Sequence, residues 1–448
     1  KLSKLSVLLG IFMLAFSFWH LDFSRTAFRA IMVPFCLVWA LYFFLKGLKA
    51  EKKIYWFFAL AGIFLGLGFY SYIAFRVAPL IFILFGIIYL CFEKKWLAKN
   101  WKAALVFIFV AFLCALPILF YFSSHFNDFW MRSQSVSVFN SAKLSTGQAL
   151  LKSLGVHLQA FFVHGDNNPR HNYNNQPLIP AGWVAFFVLG FVISLKEIGE
   201  NIWQKIIRRL ADKKDILLKN FFKPSGLFYP SVLAQSIFWV MLVPGILSIE
   251  GIPHSLRIIG TIPGVFLFCV FPIEYILKIY RKMRDSSDIA LRTRGTNLTL
   301  TFMLGLVAVI MVSGFLQVYT YFGLWAKDLR TAGGFERKLY LMGILIKDLD
   351  VHKNNYVITA YNTAINQNKK TSSLKTTEFI AYPKIKSYQF YRPADGLNNV
   401  NCEDIQIVFQ ESDQWIRDQY RAKCPNLQTD KYSFNKNKYI FYVMSPRE

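Results

Sequence analysis

Apolar residues run in blocks of bilayer-crossing length through most of this sequence and then stop. A hydrocarbon core of about 30 Å takes about 17–25 helical residues. Nine runs fit that window, at about 3–18, 29–47, 54–71, 77–92, 103–122, 179–195, 227–247, 257–280 and 298–321. They predict an all-α polytopic membrane bundle. None carries the small-residue cleavage site of a secretory signal. Beyond Tyr321 the pattern turns polar. A helix is predicted near 326–350 and a second over Ser412–Ala422, between short β-like runs at Tyr356–Thr359, Ile405–Phe409 and Tyr439–Val443. Mixed elements of that size predict a small α/β domain. The expected division is a membrane domain at 1–324 and a small domain at 325–448.

The loops between runs alternate in charge. Lys46, Lys49, Lys52 and Lys53 follow the second run, and Lys94, Lys95, Lys99 and Lys102 follow the fourth. The stretch 196–223 holds eight basic residues against four acidic ones, and 281–294 holds Arg281, Lys282, Arg284, Arg292 and Arg294. Short basic loops stay cytoplasmic. Loops 19–28, 72–76, 123–178 and 248–256, with the C-terminal domain, are then expected outside the cell membrane.

Composition narrows the class. Hydrophobic residues make up 54% and charged residues 17% of 448, with Lys+Arg 51 against Asp+Glu 26 and a net charge of +25. A soluble domain carries about 25% charged residues. One ordinary soluble domain and a disordered chain are both excluded. In a membrane protein the basic excess reports orientation, so no nucleic-acid partner is expected. Lys1 rather than Met opens the sequence, which leads us to expect an N-terminal truncation.

Cysteine adds one pair. Cys36, Cys91, Cys114 and Cys269 lie in apolar runs and read as small hydrophobes. Cys402 and Cys424 stand alone in the polar domain. An oxidising compartment permits a disulfide there, but spacing leaves the pairing open. There is no CxxC, Walker A loop, GxGxxG or zinc-type ligand spacing. No metal site and no required cofactor is expected; dependence on a divalent metal stays open.

Ionisable groups at membrane depth are costly, so their places carry information. Four clusters fall in the expected outer loops. His20, Asp22, Arg25 and Arg29 crowd the first, where an arginine fork suits phosphate oxygens and a carboxylate suits a base. The same residues also suit an interfacial belt with Asp22 paired to Arg25. Tyr70, Tyr72 and Arg76 form the second, which equally suits an interface anchor; Gly62, Gly66 and Gly68 before it allow close helix packing. The third, His164 to Pro177, carries Asp166, Arg170 and His171 among Asn and Pro residues that favour turns. It is either a hydrated linker or a substrate loop. Upstream, Leu150–Phe162 reads as an amphipathic helix along the membrane surface. The fourth holds Glu250, His254 and Arg257. If a helix begins near Pro253, His254 and Arg257 share a face near its amide-rich end. The alternative is a structural Glu250–Arg257 pair.

These residues, in this order, resemble the GT-C membrane glycosyltransferases, in the glycosyltransferase family 39 branch related to bacterial protein O-mannosyltransferases and the aminoarabinose lipid A transferase. The likeness rests on Ser24-Arg25 with Ala27-Phe28, the Tyr70/Tyr72/Arg76 turn, Asn168-Pro169-Arg170-His171-Asn172 ahead of a span, and Pro253-His254-Ser255-Leu256-Arg257. It implies about eleven to thirteen spans, with those here the third onward. It implies inverting transfer of a sugar from a polyprenyl-phosphate donor to a protein or glycolipid acceptor on the outer face. The family's main acidic motif lies in a loop this sequence does not hold, so the resemblance implies that the main base precedes Lys1. Asp22 and Glu250 are the carboxylates that remain. Arg257 and His254, then Arg25 and Arg76, are expected to hold the donor phosphate. Asp166, Arg170, His171, Tyr70 and Tyr72 are expected to line the substrate. A lipid-linked oligosaccharide flippase or polymerase is the alternative, and it asks for charge deep in the spans; Glu274, the clearest ionisable residue in an expected span, lies near the inner end, which speaks against a transport path. A non-catalytic surface receptor ranks third.

Overall fold

A computed structural model describes residues 2–140, 145–210, 225–289, 291–360, 365–366, 369–370, 374–411, 413–435 and 438–446. Lys1, Ser412 and the loop lysines Lys213, Lys214, Lys219 and Lys223 lie outside them. The chain divides into two compact units, Lys1–Ala326 and Lys327–Glu448.

The first unit is a helical bundle. Among the described residues, seven helices are long and apolar enough to cross a membrane: Arg29–Lys49, Ile73–Phe92, Lys94–Ser124, Ala181–Ile207, Phe228–Ile246, Ile259–Arg284 and Arg292–Lys327. This is a multi-pass membrane protein. Two of the nine expected spans differ. The first bends by 57° between Lys4–Phe16 (α1) and Phe18–Arg25 (α2). Ser17 at the break is extended (φ −63°, ψ 129°). There the Phe18 N–H donates to Gln317 Oε1 at 3.2 Å, so a side chain replaces the helical carbonyl. The third forms a helix of only 15 residues, Ile54–Gly68, about 22 Å long against a core of about 30 Å. This short helix packs between Met32–Lys49 and Lys94–Ser124. A Cβ at Gly62 would meet the Phe107 carbonyl oxygen at 2.7 Å, and one at Gly66 would meet the Ala111 carbonyl oxygen at 2.6 Å. The glycine spacing therefore permits close approach of the two helices.

Glu274 lies in the helix Ile262–Arg284 and is 1% exposed. Its Oε2 accepts from the Ser3 N–H at 2.7 Å and the Ser6 hydroxyl at 2.9 Å, and Arg281 stands 3.7 Å from Oε1. It thus serves orphan donors at the N-terminus of α1. Glu274→Ala is expected to cost about 1–3 kcal/mol by leaving those donors unpaired. A lower thermal unfolding midpoint of the detergent-solubilised protein checks this, with no loss of the Arg281 charge to explain it.

The second unit carries a five-stranded sheet. In chain order its strands are β1 (Asn354–Ile358), β2 (Tyr388–Tyr391), β3 (Ile405–Phe409), β4 (Leu427–Phe434) and β5 (Tyr439–Pro446). Across the sheet they run β2-β1-β3-β5-β4, the first three parallel and the rest antiparallel. Helices Arg337–Asp348 and Gln414–Lys423 match the predicted helical stretches. The sequence pattern missed β2 and β4, the two edges. β2 is only four residues long, and in β4 polar residues break the apolar alternation, as edge strands require. Cys402 and Cys424 are joined by a disulfide with Cα atoms 5.6 Å apart, 22 residues apart in sequence. Cys402→Ser/Cys424→Ser is expected to destabilise this unit by about 2–4 kcal/mol. Unfolding in urea with and without reductant measures it; the reductant effect should vanish in the variant.

Candidate functional site

Asp166 organises one end of the bundle. It is 2% exposed, in the loop between the helices Thr146–Gln159 and Ala181–Leu210. Its Oδ2 accepts from the Ser255 N–H at 2.9 Å, the Ser255 hydroxyl at 2.8 Å and His171 Nδ1 at 3.0 Å. Its Oδ1 accepts from the Asn168 N–H at 2.8 Å, an Asx turn. The Asn172 side-chain amide donates to the Asp166 carbonyl at 3.0 Å and to the Gln176 carbonyl at 2.8 Å. Asn174 and Asn175 sit at φ 49° and 54°, a conformation that asparagine tolerates. The Asn-rich stretch is thus an ordered loop, not a hydrated linker. Burial opposes the Asp166 charge, but the His171 hydrogen bond and the Asn168 amide hold its carboxyl below the usual range.

His254 stands beside it, with Nδ1 3.8 Å from Asp166 Oδ2. That buried nitrogen makes no hydrogen bond among the described residues. The two imidazole rings of His171 and His254 are 5.1 Å apart. The His254 N–H donates to His157 Nε2 at 3.3 Å, and His157 Nδ1 donates to the Ser153 carbonyl at 2.8 Å. Burial first, with Arg257 nearby, lowers the pKa of both His157 and His254. Both imidazoles are therefore held neutral.

The segment Ser17–Asp22 completes the cluster. Asp22 is fully buried, and neither carboxylate oxygen has a hydrogen-bond partner among the described residues. Ser17 Oγ, Trp19 Nε1 and His20 Nδ1 are likewise buried and unpartnered among them. The charges of Asp166 and Arg170 both act on Asp22. Phe23 and Phe28 flank the His171 ring at 5.4 and 5.3 Å, and the Arg170 guanidinium lies over Phe28 at 5.2 Å. Beneath, Trp19, Phe187 and Phe238 pack on Phe161. Trp325 Nε1 donates to the Pro169 carbonyl at 2.8 Å, which ties the loop to the end of the last long helix. No family model, curated protein or solved structure matches this chain. The chemistry of the cluster has to speak for itself.

The structure thus joins Asp22, Asp166, Arg170, His171 and His254. Other sequence candidates are engaged differently. Arg257 is 5% exposed, and its guanidinium donates to the Glu250 carbonyl at 2.7 Å and to Glu250 Oε2 at 3.2 Å. The structural pair is therefore present, and it commits both the phosphate candidate and the second carboxylate. No helix opens at Pro253. His254 to Arg257 form a turn closed by the Arg257 N–H donating to the His254 carbonyl at 3.1 Å, and the helical stretch begins at Ile259. Arg76 donates to the Phe129 carbonyl at 2.9 Å and stacks on the Phe129 ring at 3.9 Å. Tyr70 donates to the Cys114 carbonyl at 3.1 Å, and Tyr72 packs against the apolar core. Arg25 is exposed and lies over Phe322 at 5.0 Å.

Sequence reasoning missed Ser255 and His157. Ser255 lies between His254 and Leu256, and nothing in that position marks it as a partner of a carboxylate. His157 lies on Thr146–Gln159, whose inward face is Ala149, Ser153 and His157. Ser153 donates to the Gly245 and Ser248 carbonyls at 3.2 and 3.0 Å. The helix docks on the bundle through this small, polar stripe. The expectation of no metal-ligand cluster also needs correction: one ligand atom each from Asp166, His171 and His254 lie within 4.8 Å of one another.

Proposed function

We propose that this protein is an integral membrane glycosyltransferase of the GT-C type. It moves a sugar from a polyprenyl-phosphate carrier to a protein or glycolipid acceptor, with inversion, at the outer face of the cell membrane. One observation carries the reading: four residues of Ser17–Asp22 present buried polar atoms without hydrogen-bond partners among the described residues, beside Arg170, inside a membrane bundle. Unpaired buried polar groups are costly and mark places where a polar ligand completes the hydrogen bonding. A mixture of donors and acceptors suits sugar hydroxyls. An adjoining arginine suits a phosphate.

In this mechanism the acceptor hydroxyl attacks the anomeric carbon while its proton passes to Asp22. The bond from that carbon to the carrier phosphate breaks, and the lipid phosphate leaves with its electron pair. Arg170 and Arg25 stabilise the charge that develops. Arg257, tied to Glu250, positions the turn that holds His254 and Ser255 against Asp166. The basic loops argue for this end of the bundle lying outside, and the Cys402–Cys424 disulfide suits an oxidising compartment.

The flippase reading is disfavoured by Glu274, whose charge is committed to capping α1. The full chain in proteoliposomes, given labelled polyprenyl-phosphate hexoses and pentoses with an envelope acceptor extract, tests the proposal. Labelled acceptor and free polyprenyl phosphate are expected. Carrier that crosses the bilayer with its sugar intact would favour a flippase.

A further inference from the structure

We propose that Asp166, His171 and His254 bind one divalent cation of the zinc class. Asp166 and His171 stand five residues apart on one loop, and His254 comes from a distant turn. The fold nevertheless sets one carboxylate oxygen and two imidazole nitrogens within 4.8 Å of one another. Around Asp166 Oδ2, the Nδ1 atoms of His171 and His254 lie at 3.0 and 3.8 Å. A tetrahedral zinc ion with bonds of about 2.0–2.2 Å separates its ligand atoms by about 3.4 Å. The observed distances bracket that value, so small ring rotations bring all three onto one ion.

Hydrogen bonding alone explains only part of this arrangement. His171 is satisfied by Asp166. His254 Nδ1 is not: it is buried, it faces a carboxylate oxygen, and it has no partner among the described residues. Its backbone is meanwhile fixed by His157. The surrounding groups are those a metal site requires. The Ser255 and Asn168 donors orient the carboxylate, as outer partners of ligating groups do. Phe23 and Phe28 wall one imidazole and limit its motion. Two imidazoles and one carboxylate form a familiar three-ligand set for zinc, with the fourth position open to water or to an oxygen of a bound molecule. On binding, the His171 Nδ1 proton is released and that nitrogen turns from Asp166 to the ion.

The test reads metal, not transfer, so it stands or falls separately from the proposed activity. The purified full chain is stripped with chelator, dialysed and titrated with Zn²⁺, and separately with Co²⁺. About one tightly held zinc per chain is expected, with visible Co²⁺ absorption that Zn²⁺ abolishes. His254→Ala removes a ring that makes no hydrogen bond through Nδ1, so folding should persist. It should weaken zinc binding by about 100-fold or more. His171→Ala should do the same, and His164→Ala, an exposed histidine outside the set, should not. Absence of stoichiometric binding in the wild type, or unchanged binding in His254→Ala with an unchanged unfolding midpoint, would overturn the proposal.

Discussion

Asp22→Asn is expected to slow sugar transfer by about 10²–10⁴-fold, the usual contribution of a positioned acid or base. The replacement is nearly isosteric. Asp22 makes no side-chain hydrogen bond among the described residues, so no protein network breaks with it. The unfolding midpoint should therefore hold. If Asp22 takes the proton, the loss falls on single-turnover rate at saturating donor, with little change in donor KM. Glu250→Gln provides the contrast. Glu250 is exposed and paired with Arg257, so its loss should change turnover by no more than a few-fold. Equal effects from the two would contradict the assignment of the proton to Asp22.

Asp166→Ala is expected to be the most destabilising single change at this end of the bundle, by about 3–5 kcal/mol. It strands the Ser255 amide and hydroxyl, the Asn168 amide and the His171 ring, four donors that converge on one carboxylate. These contacts join the 163–180 loop to the 254–257 turn, so both should loosen together. Faster hydrogen exchange across residues 164–178 and 252–258, with a lower unfolding midpoint, is the expected signature. Asp166→Asn keeps one acceptor oxygen and puts a donor in place of the other, so it cannot accept all four bonds and should fall between the wild type and the alanine variant. An effect confined to one segment would show that the carboxylate does not bridge them.

The membrane class and the α/β character of residues 327–446 were legible because apolar runs and β-like runs are local features. Two failures share a cause. The bend at Ser17 depends on Gln317, nearly three hundred residues away, and the shortness of Ile54–Gly68 is hidden by apolar residues that continue past its end. The candidate site was legible as loops but not as an assembly. Asp166, His171 and His254 were all singled out, yet nothing in their spacing says that one carboxylate receives them. Arg257 misled because a buried arginine and a phosphate ligand look alike until the partner is seen. His157 was invisible because its role, accepting a backbone N–H through Nε2, leaves no trace in composition.

The central claim is that the cluster around Asp22 breaks a sugar–phosphate bond at the lipid carrier. The most direct measurement is the fate of the carrier under single-turnover conditions, with the full chain in excess over labelled polyprenyl-phosphate sugar and acceptor present. The account predicts polyprenyl monophosphate appearing in step with an acceptor glycoside of inverted anomeric configuration, both lost in Asp22→Asn. Carrier recovered intact, while folded wild-type protein binds it, would contradict the account.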